Sequence, residues 1–166
     1  MSDQESTNIL DQLKPGDVIA EKYRIEGLLG RGGMGTVMAA EHLQLRERVA
    51  LKFLRVDNER AEEFRGRFLR EAQVTAKLRS EHVTRVRDFG VMDDGTPYMV
   101  MEYLEGTDLR HMLKQFGKLP AEMAADFIIQ ACQGIAEAHS YQIVHRDLKP
   151  SNLYLTKHLD GTDLVK

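Results

Sequence analysis

A polar octamer between two apolar segments most constrains how this chain can fold. Residues 145–152 read H-R-D-L-K-P-S-N, after an apolar helical stretch and before an apolar run. A short polar loop held between two buried elements is where a scaffold presents chemistry. In such a loop Asp147 can accept a proton from a hydroxyl, Lys149 can neutralise a phosphoryl group, and Asn152 can offer an oxygen to Mg²⁺. The octamer therefore predicts a catalytic loop, and a solvated loop with scattered charges is the simpler alternative.

Composition limits the classes of protein to which the chain can belong. Its 166 residues suffice for one compact domain or two small lobes. The net charge of −3 argues against a nucleic-acid partner. No apolar run is long enough to span a membrane, and the single Cys132 indicates a reducing cytoplasm, where we expect it to be a small buried residue of a helix. Residues 1–21 are interpreted as a polar leader.

A glycine-rich stretch lies between two predicted strands, residues 23–29 and 36–40. Residues 30–35 read G-R-G-G-M-G. A Walker A loop would end in Gly-Lys-Ser/Thr, but here Thr36 follows the last glycine. A dinucleotide-binding fold would place a helix directly after the glycines, where a strand is predicted instead. Because glycines let backbone N–H groups approach phosphates without a Cβ clash, a phosphate-binding hairpin and a plain hairpin turn remain as interpretations.

Lys52 and Glu71 are predicted to form an ion pair. Lys52 lies in the middle of a predicted strand, residues 48–54, where it needs an anionic partner. Residues 61–78 are predicted to be helical, and at about 100° per residue Glu71 falls at the centre of their apolar face. A surface pair of Glu71 with an arginine of its own helix is the alternative. That face consists of Phe64, Phe68, Thr75 and Leu78, and those arginines are Arg67 and Arg70.

Three motifs together resemble those of the protein kinase family. The octamer matches the catalytic-loop pattern H-R-D-L-x-x-x-N, and the glycine-rich stretch continues into x-V at Thr36-Val37. The family's V-A-I-K strand motif is similar to residues 49–52, which read V-A-L-K. A lysine at position 149 is typical of serine/threonine kinases, and the sequence of the glycine-rich stretch resembles that of bacterial members of the family.

The resemblance implies an α+β, protein-kinase-like fold. Its N-lobe, residues 22–103, would be a five-stranded antiparallel sheet plus one helix. Its C-lobe, residues 104–166, would be incomplete and mainly helical. The long helix of this lobe is expected to begin after Pro120 and to end near Ser140. Its expected buried stripe is Phe127, Ile128, Ala131, Ile135 and Ala138.

The resemblance also implies a set of site residues, with ATP and Mg²⁺ as cofactors. Asp147, Lys149 and Asn152 would be catalytic, and Asn152 would also hold the metal ion. Asp108 has a second interpretation as the N-cap of a helix ending near Gly117. The implied ATP-binding residues are Leu29, Gly30, Arg31, Gly32, Gly33, Met34, Gly35, Val37, Ala50, Lys52, Glu71, Met101, Glu102, Leu104, Asp108 and Tyr154.

The family's metal-binding D-F-G tripeptide is expected after the catalytic loop. Residues 88–90 also read D-F-G, but they precede the catalytic loop, so we reject that match. The sequence ends at Lys166 before another copy, which predicts a truncated domain that is slower than complete members by several orders of magnitude. The implied partners are proteins bearing Ser or Thr, and an exposed C-lobe surface would favour self-association. An inactive nucleotide-binding or partner-binding fragment is the alternative function.

Overall fold

The protein was analysed as a computed structural model, whose described residues are 12–32, 35–54, 66 and 73–166. They belong to two compact units. The first contains the described residues before position 73 together with Val86–Tyr103, and the second contains Gln73–Arg85 and Leu104–Lys166.

The first unit is built on a six-stranded sheet in the order β1-β2-β3-β4-β6-β5, in which all neighbouring strands are antiparallel. The expected antiparallel sheet is confirmed, and it has one strand more than the five that were expected. The strands are β1 (Val18–Ile19), β2 (Tyr23–Gly32), β3 (Gly35–His42), β4 (Glu47–Leu54), β5 (Val86–Val91) and β6 (Pro97–Glu102).

The additional strand β1 comes from the segment that sequence analysis interpreted as a polar leader. Its Ile19 is 5% exposed and joins the sheet's core cluster. The backbone N–H of Gly16 donates to the carbonyl oxygen of Ile25 at 2.8 Å, and that of Ile25 donates to Asp17 at 2.8 Å. The last part of this segment is therefore packed on the sheet, and Leu13 also packs against the same core cluster.

The second unit combines two helices with a small sheet. Helix α1 (Leu109–Phe116) and helix α2 (Ala121–Ser140) are joined by a loop that follows Gly117. The three-stranded antiparallel sheet consists of β7 (Thr107–Asp108), β8 (Tyr154–Lys157) and β9 (Asp163–Val165), and a 3₁₀-helix (Pro150–Asn152) precedes β8. Its core cluster contains Leu109, Phe127, Ala131, Leu153 and Val165.

Helix α2 begins after Pro120 and ends at Ser140 as predicted, but its buried stripe differs from the expected one. Ile128 is 55% exposed and Cys132 is also exposed, so the prediction that they are buried is wrong. The stripe runs through Gly134, where a Cβ atom would lie 2.8 Å from the carbonyl oxygen of His82. Ile128 is turned by about 100° from Phe127, and this takes it off the stripe.

The predicted helix over residues 61–78 falls largely outside the described residues. Gly66 and residues 73–75 are helical, and a turn at residues 76–77 precedes the buried Leu78. Glu137 of α2 then holds the following backbone. Its two carboxylate oxygens accept from the N–H groups of Arg79 at 2.7 Å and Ser80 at 2.6 Å.

Residues 88–90 lie in β5, and their aspartate has a structural partner. The buried hydroxyl of Tyr23 donates to Oδ2 of Asp88 at 3.1 Å, and the N–H of Phe89 donates to Oδ1 at 2.9 Å. Asp88 therefore links β5 to the sheet core.

Candidate active site

The core residues of β4 and its candidate nucleotide-binding residues lie on opposite faces of the strand. Val49, Leu51 and Phe53 are each 0% exposed, because alternate side chains of a strand point to one face. Ala50 and Lys52 occupy the opposite face, and Lys52 is half-buried. The strand thus presents one cation on a face that is not used for the sheet's core.

The register of the sheet brings three further predicted residues to that face. Lys52 lies directly opposite Val37, and Ala50 lies directly opposite Met101. Gly30 in turn lies opposite Val37 on the other side of β3. Directly opposed residues of antiparallel strands share a face of the sheet. These residues therefore lie on the same face as Lys52 of β4.

The glycine-rich hairpin joins β2 to β3, and its glycines have two different roles. Gly35 has φ +148°, and a Cβ atom there would lie 2.0 Å from the carbonyl oxygen of Phe53, so only glycine fits. A Cβ atom at Gly30 or Gly32 would meet no described atom within 4 Å. The backbone is therefore open to a ligand at those two positions, which fits the close approach of a phosphate group.

Some of the predicted ATP-binding residues of the first unit are exposed, and others lie outside the described residues. Leu29 is 48% exposed beside the bulge of β2, and Arg31 lies opposite Thr36 in the β2–β3 register. Gly33, Met34 and Glu71 lie outside the described residues. The Lys52–Glu71 ion pair therefore stays a prediction.

The end of β6 and the segment after it carry two more of the implied ATP-binding residues. Glu102 is the last residue of β6 and lies opposite Val49. Leu104 is half-buried in the connection that leads to β7. A contact of either residue with ATP stays a prediction.

Asp108 and Tyr154 are direct partners in the small sheet of the second unit. Oδ1 of Asp108 accepts from the backbone N–H of His111 at 2.9 Å, which makes Asp108 the N-cap of α1, one of its two predicted roles. The hydroxyl of Tyr154 donates to the carbonyl oxygen of Gly106 at 2.9 Å. Both side chains are thus fixed by local partners, and a further contact of either with ATP stays a prediction.

The three predicted catalytic residues lie together in the second unit. Nζ of Lys149 is 2.7 Å from Oδ2 of Asp147. The side-chain amide of Asn152 donates to the same Oδ2 at 3.1 Å and to the backbone carbonyl of Asp147 at 2.8 Å. The loop therefore presents one carboxylate that is held by a cation and an amide.

Local backbone structure produces this arrangement. Arg146 has φ +61°, and the N–H of Asp147 donates to the carbonyl oxygen of His145 at 2.9 Å, which turns the chain sharply before the aspartate. Pro150 occupies the first turn of the 3₁₀-helix, a position that its fixed φ favours. Leu153 is buried directly after the loop, so the loop is anchored where β8 begins.

The hydrogen bond from Lys149 is the main reason why the pKa of Asp147 lies below its ordinary value. The hydrogen bond from Asn152 and the charges of Lys149 and His145 lower this pKa further, whereas partial desolvation opposes them. The Asp147 carboxylate is consequently ionised at neutral pH and can accept a hydrogen bond from a hydroxyl group.

Asn152 fits the predicted role of magnesium ligand through its remaining oxygen. Since Nδ2 is the atom that faces Asp147, Oδ1 points away from that carboxylate and stays available to a hard cation. No group of three potential ligating side chains among His, Cys, Asp and Glu occurs in the described part of the chain. A single amide oxygen, Oδ1 of Asn152, suits Mg²⁺, because this ion usually takes few protein ligands and completes its shell with water and substrate phosphates.

Sequence analysis missed two cations of α1, Arg110 and Lys114. They line a concave surface together with Lys149 of the catalytic loop. Their spacing of four residues places them on one face of the helix. This spacing is the sequence feature that could have indicated a shared cationic surface. The sequence alone does not show that this face lies beside the loop.

Comparison with known proteins gives the family. The protein kinase domain model matches residues 23–165. A probable serine/threonine-protein kinase PknB of Corynebacterium glutamicum is 39% identical over 142 residues, which are 84% of this chain and 22% of that protein. The serine/threonine-protein kinase pkn3 of Myxococcus xanthus is 37% identical over 151 residues, 91% of this chain and 28% of that protein. The chain thus spans about a quarter of the length of these curated relatives.

Solved structures agree with these matches. The kinase domain of Mycobacterium tuberculosis PknI has a TM-score of 0.74 and 32% sequence identity, over 92% of this chain and 61% of that domain. Within the described residues, no helix has the length and apolar character needed to cross a membrane. The matched family, the named relatives and the shared fold confirm the resemblance seen in the motifs, and the chain belongs to the serine/threonine protein kinase family.

Proposed function

We propose that this chain carries out ATP-dependent phosphorylation of serine or threonine hydroxyls on protein substrates. The main support for this proposal is the environment of the Asp147 carboxylate. Nζ of Lys149 lies 2.7 Å from Oδ2 of this carboxylate, and the side-chain amide of Asn152 donates to the same oxygen at 3.1 Å. Phosphoryl transfer depends on positioning and charge neutralisation more than on covalent chemistry by the protein. A fixed carboxylate beside a fixed ammonium group meets both needs.

Asp147 and Lys149 divide the chemical work of this reaction. The carboxylate of Asp147 is ionised at neutral pH, so it can orient a substrate hydroxyl and accept its proton. Lys149 lies beside the same oxygen and can neutralise negative charge on the phosphoryl group as it is transferred. Each residue supports the other: the ammonium stabilises the ionised carboxylate, and the carboxylate positions the ammonium.

The first unit would supply the nucleotide contacts. Lys52, Val37, Ala50 and Met101 share a sheet face, and the hairpin backbone is open at Gly30 and Gly32. ATP supplies the phosphoryl group, and Oδ1 of Asn152 would hold Mg²⁺. Because ATP is abundant in the cytoplasm, we place the proposed reaction there.

The test is transfer of labelled phosphate from ATP and Mg²⁺ to dephosphorylated casein, an acidic protein that bears Ser and Thr. Asp147→Asn removes the charge of the proton acceptor and is expected to lower transfer by at least about a hundredfold. Asp160→Asn is the matched control, because Asp160 is another loop aspartate, whose side chain accepts from Thr162. Equal transfer by the wild-type chain and Asp147→Asn would refute the proposal.

The alternative, a nucleotide-binding chain without transferase activity, gives a different result in the same experiment. It predicts that ATP with Mg²⁺ raises the thermal midpoint while no label is transferred. That combination would replace the proposed reaction with a binding role.

A further inference from the structure

A concave surface of about 440 Å³ lies between α1 and the catalytic loop. Its position is fixed by the core of the second unit, since the N–H of the buried Leu109 donates to the carbonyl oxygen of the buried Leu153 at 2.9 Å. The start of α1 is therefore held against the end of the loop. The lining residues are Arg110, Leu113, Lys114, Lys149, Pro150 and Ser151.

The lining of this surface is cationic. It contains three cations and no carboxylate among the residues that the structure describes. Arg110 and Lys114 are exposed, and neither forms an ion pair with a described residue. Leu113, which is 37% exposed, and Pro150 add an apolar floor. Such a surface attracts a small anionic group and disfavours a cationic one.

Interaction with the helix dipole explains only one of the two lining cations of α1. A cation in the last turn interacts favourably with the helix dipole, and this accounts for Lys114. Arg110 lies in the first turn, where the dipole makes a cation unfavourable. Its position therefore costs the helix some stability, which a binding role would offset.

Lys149 connects this surface to the proposed chemistry. Its Nζ contacts Oδ2 of Asp147 at 2.7 Å, and its side chain also lines the surface. A group bound there lies within a few residues, along an extended peptide, of a hydroxyl at Asp147. The occupant is thus best understood as part of the same molecule that carries the hydroxyl.

We propose that this surface binds an anionic side chain of the protein substrate, close in sequence to the phosphorylated Ser or Thr, and that Arg110 and Lys114 determine this specificity. The inference rests on the proposed function, whose substrate class it narrows to acidic segments. A carboxylate of Asp or Glu and the phosphoryl group of a phosphoserine share the required chemistry.

The test uses fluorescently labelled peptides with one central serine on an alanine background. Glu, phosphoserine or Gln is placed in turn at each of the nearest flanking positions, and the Kd for the chain is measured by fluorescence anisotropy. We expect at least one position at which Glu binds about three- to tenfold more tightly than Gln, as for one anion facing two exposed cations. Comparison of Glu with phosphoserine at that position distinguishes a carboxylate site from a phosphate site.

Lys114→Gln and Lys118→Gln provide a matched pair of variants. Both remove one exposed lysine charge from neighbouring positions, but only Lys114 lines the surface. Lys114→Gln is expected to remove most of the preference for Glu, as is Arg110→Gln, whereas Lys118→Gln is expected to keep it. The charge-preserving variant Lys114→Arg is expected to keep it as well, which separates a charge effect from misfolding.

Two outcomes would overturn the inference: no flanking position at which Glu is preferred over Gln, or a full preference in the Arg110→Gln/Lys114→Gln double variant. Both are measured by binding alone, so a chain that fails to transfer phosphate still gives a result. Conversely, transfer to neutral and acidic peptides with equal KM would refute the specificity while leaving the proposed function intact.

Discussion

Nζ of Lys149 lies 2.7 Å from Oδ2 of Asp147, two residues earlier in the same loop. An extended Lys149 backbone before the 3₁₀-helix and the positive φ of Arg146 set the course of the chain around this contact. Because Asn152 donates to the same carboxylate, the proposed proton acceptor has two fixed neighbours that stabilise its ionised form.

Removal of the ammonium group is predicted to raise the pKa of Asp147 toward its ordinary value of 3.8. In the wild-type chain the lowered pKa means that the pair's contribution to stability is present above the ordinary pKa. That contribution is lost as the pH falls through the lowered pKa. In Lys149→Met, which lacks the pair, the Asp147 carboxyl is expected to take up its proton at higher pH. The measurement is the titration of the Asp147 carboxyl carbon by ¹³C NMR.

Lys157→Met is the control for this titration, because Lys157 pairs with Asp163 in the β8–β9 hairpin and not with Asp147. It is expected to leave the Asp147 titration unchanged. An unchanged midpoint in Lys149→Met would contradict the geometry of the loop.

The glycine-rich hairpin predicts effects of very different size on stability for two Gly→Ala substitutions. Gly35→Ala places a Cβ atom 2.0 Å from a backbone oxygen at φ +148°, and we expect it to lower the free energy of unfolding by about 2 kcal/mol or more. Gly32→Ala meets no described atom within 4 Å and is expected to change stability by less than about 0.5 kcal/mol. Urea unfolding of both variants makes the comparison.

ATP binding should separate the same two positions further. A methyl group at Gly32 would occupy the open side of the hairpin, so Gly32→Ala is expected to weaken ATP binding at unchanged stability. Isothermal titration calorimetry checks this point. A variant that binds ATP as tightly as the wild-type chain would place the phosphates elsewhere.

The accuracy of sequence analysis depended on how locally each feature is determined. The octamer of residues 145–152 was predictable because Asp147 reaches Lys149 and Asn152 within a few residues. The alternation of β4 likewise separates Lys52 from the core face, as its spacing requires. In both cases the chain's own geometry fixes which groups meet.

Features that depend on a distant neighbour were missed or mistaken. The periodicity of α2 permits a stripe through Ile128, whereas the buried stripe runs through Gly134, beside the carbonyl oxygen of His82. A strand as short as β1 carries too little pattern to be recognised. The cationic surface joins Arg110 and Lys114 to the catalytic loop, and no local pattern encodes that proximity.

Glu137 is predicted to stabilise the second unit through the backbone of residues 79–80. It accepts two N–H groups at 2.7 and 2.6 Å, and bonds of this kind to a charged acceptor contribute about 1.5–3 kcal/mol each. Glu137→Ala leaves both donors without this acceptor and should lower the free energy of unfolding by about 2–3 kcal/mol. Gln133→Ala, an exposed change on the same helix, is the control, and equal urea midpoints for the two variants would contradict the prediction.

Tyr23 is predicted to make the first unit sensitive to alkaline pH. Burial, followed by the charge of Asp88 and the hydrogen bond to it, raises the pKa of Tyr23 above its ordinary value of 10.0. The neutral phenol is therefore the form that the folded state favours. Its contribution is complete below pH 10.0 and is lost as the pH rises toward the raised pKa.

Tyr23→Phe separates this titration from the packing of the ring. The substitution keeps the edge-on contact with His42 but removes the hydroxyl that donates to Asp88, and it is expected to cost about 1 kcal/mol near pH 8. Between about pH 8 and pH 11 the wild-type chain should lose more stability than Tyr23→Phe, because only the wild-type chain carries the raised Tyr23 pKa. Urea unfolding at the two pH values measures the difference, with the exposed Tyr141→Phe as the control. Equal losses in wild type and Tyr23→Phe would show that Asp88 and the sheet core leave the Tyr23 phenol free to ionise.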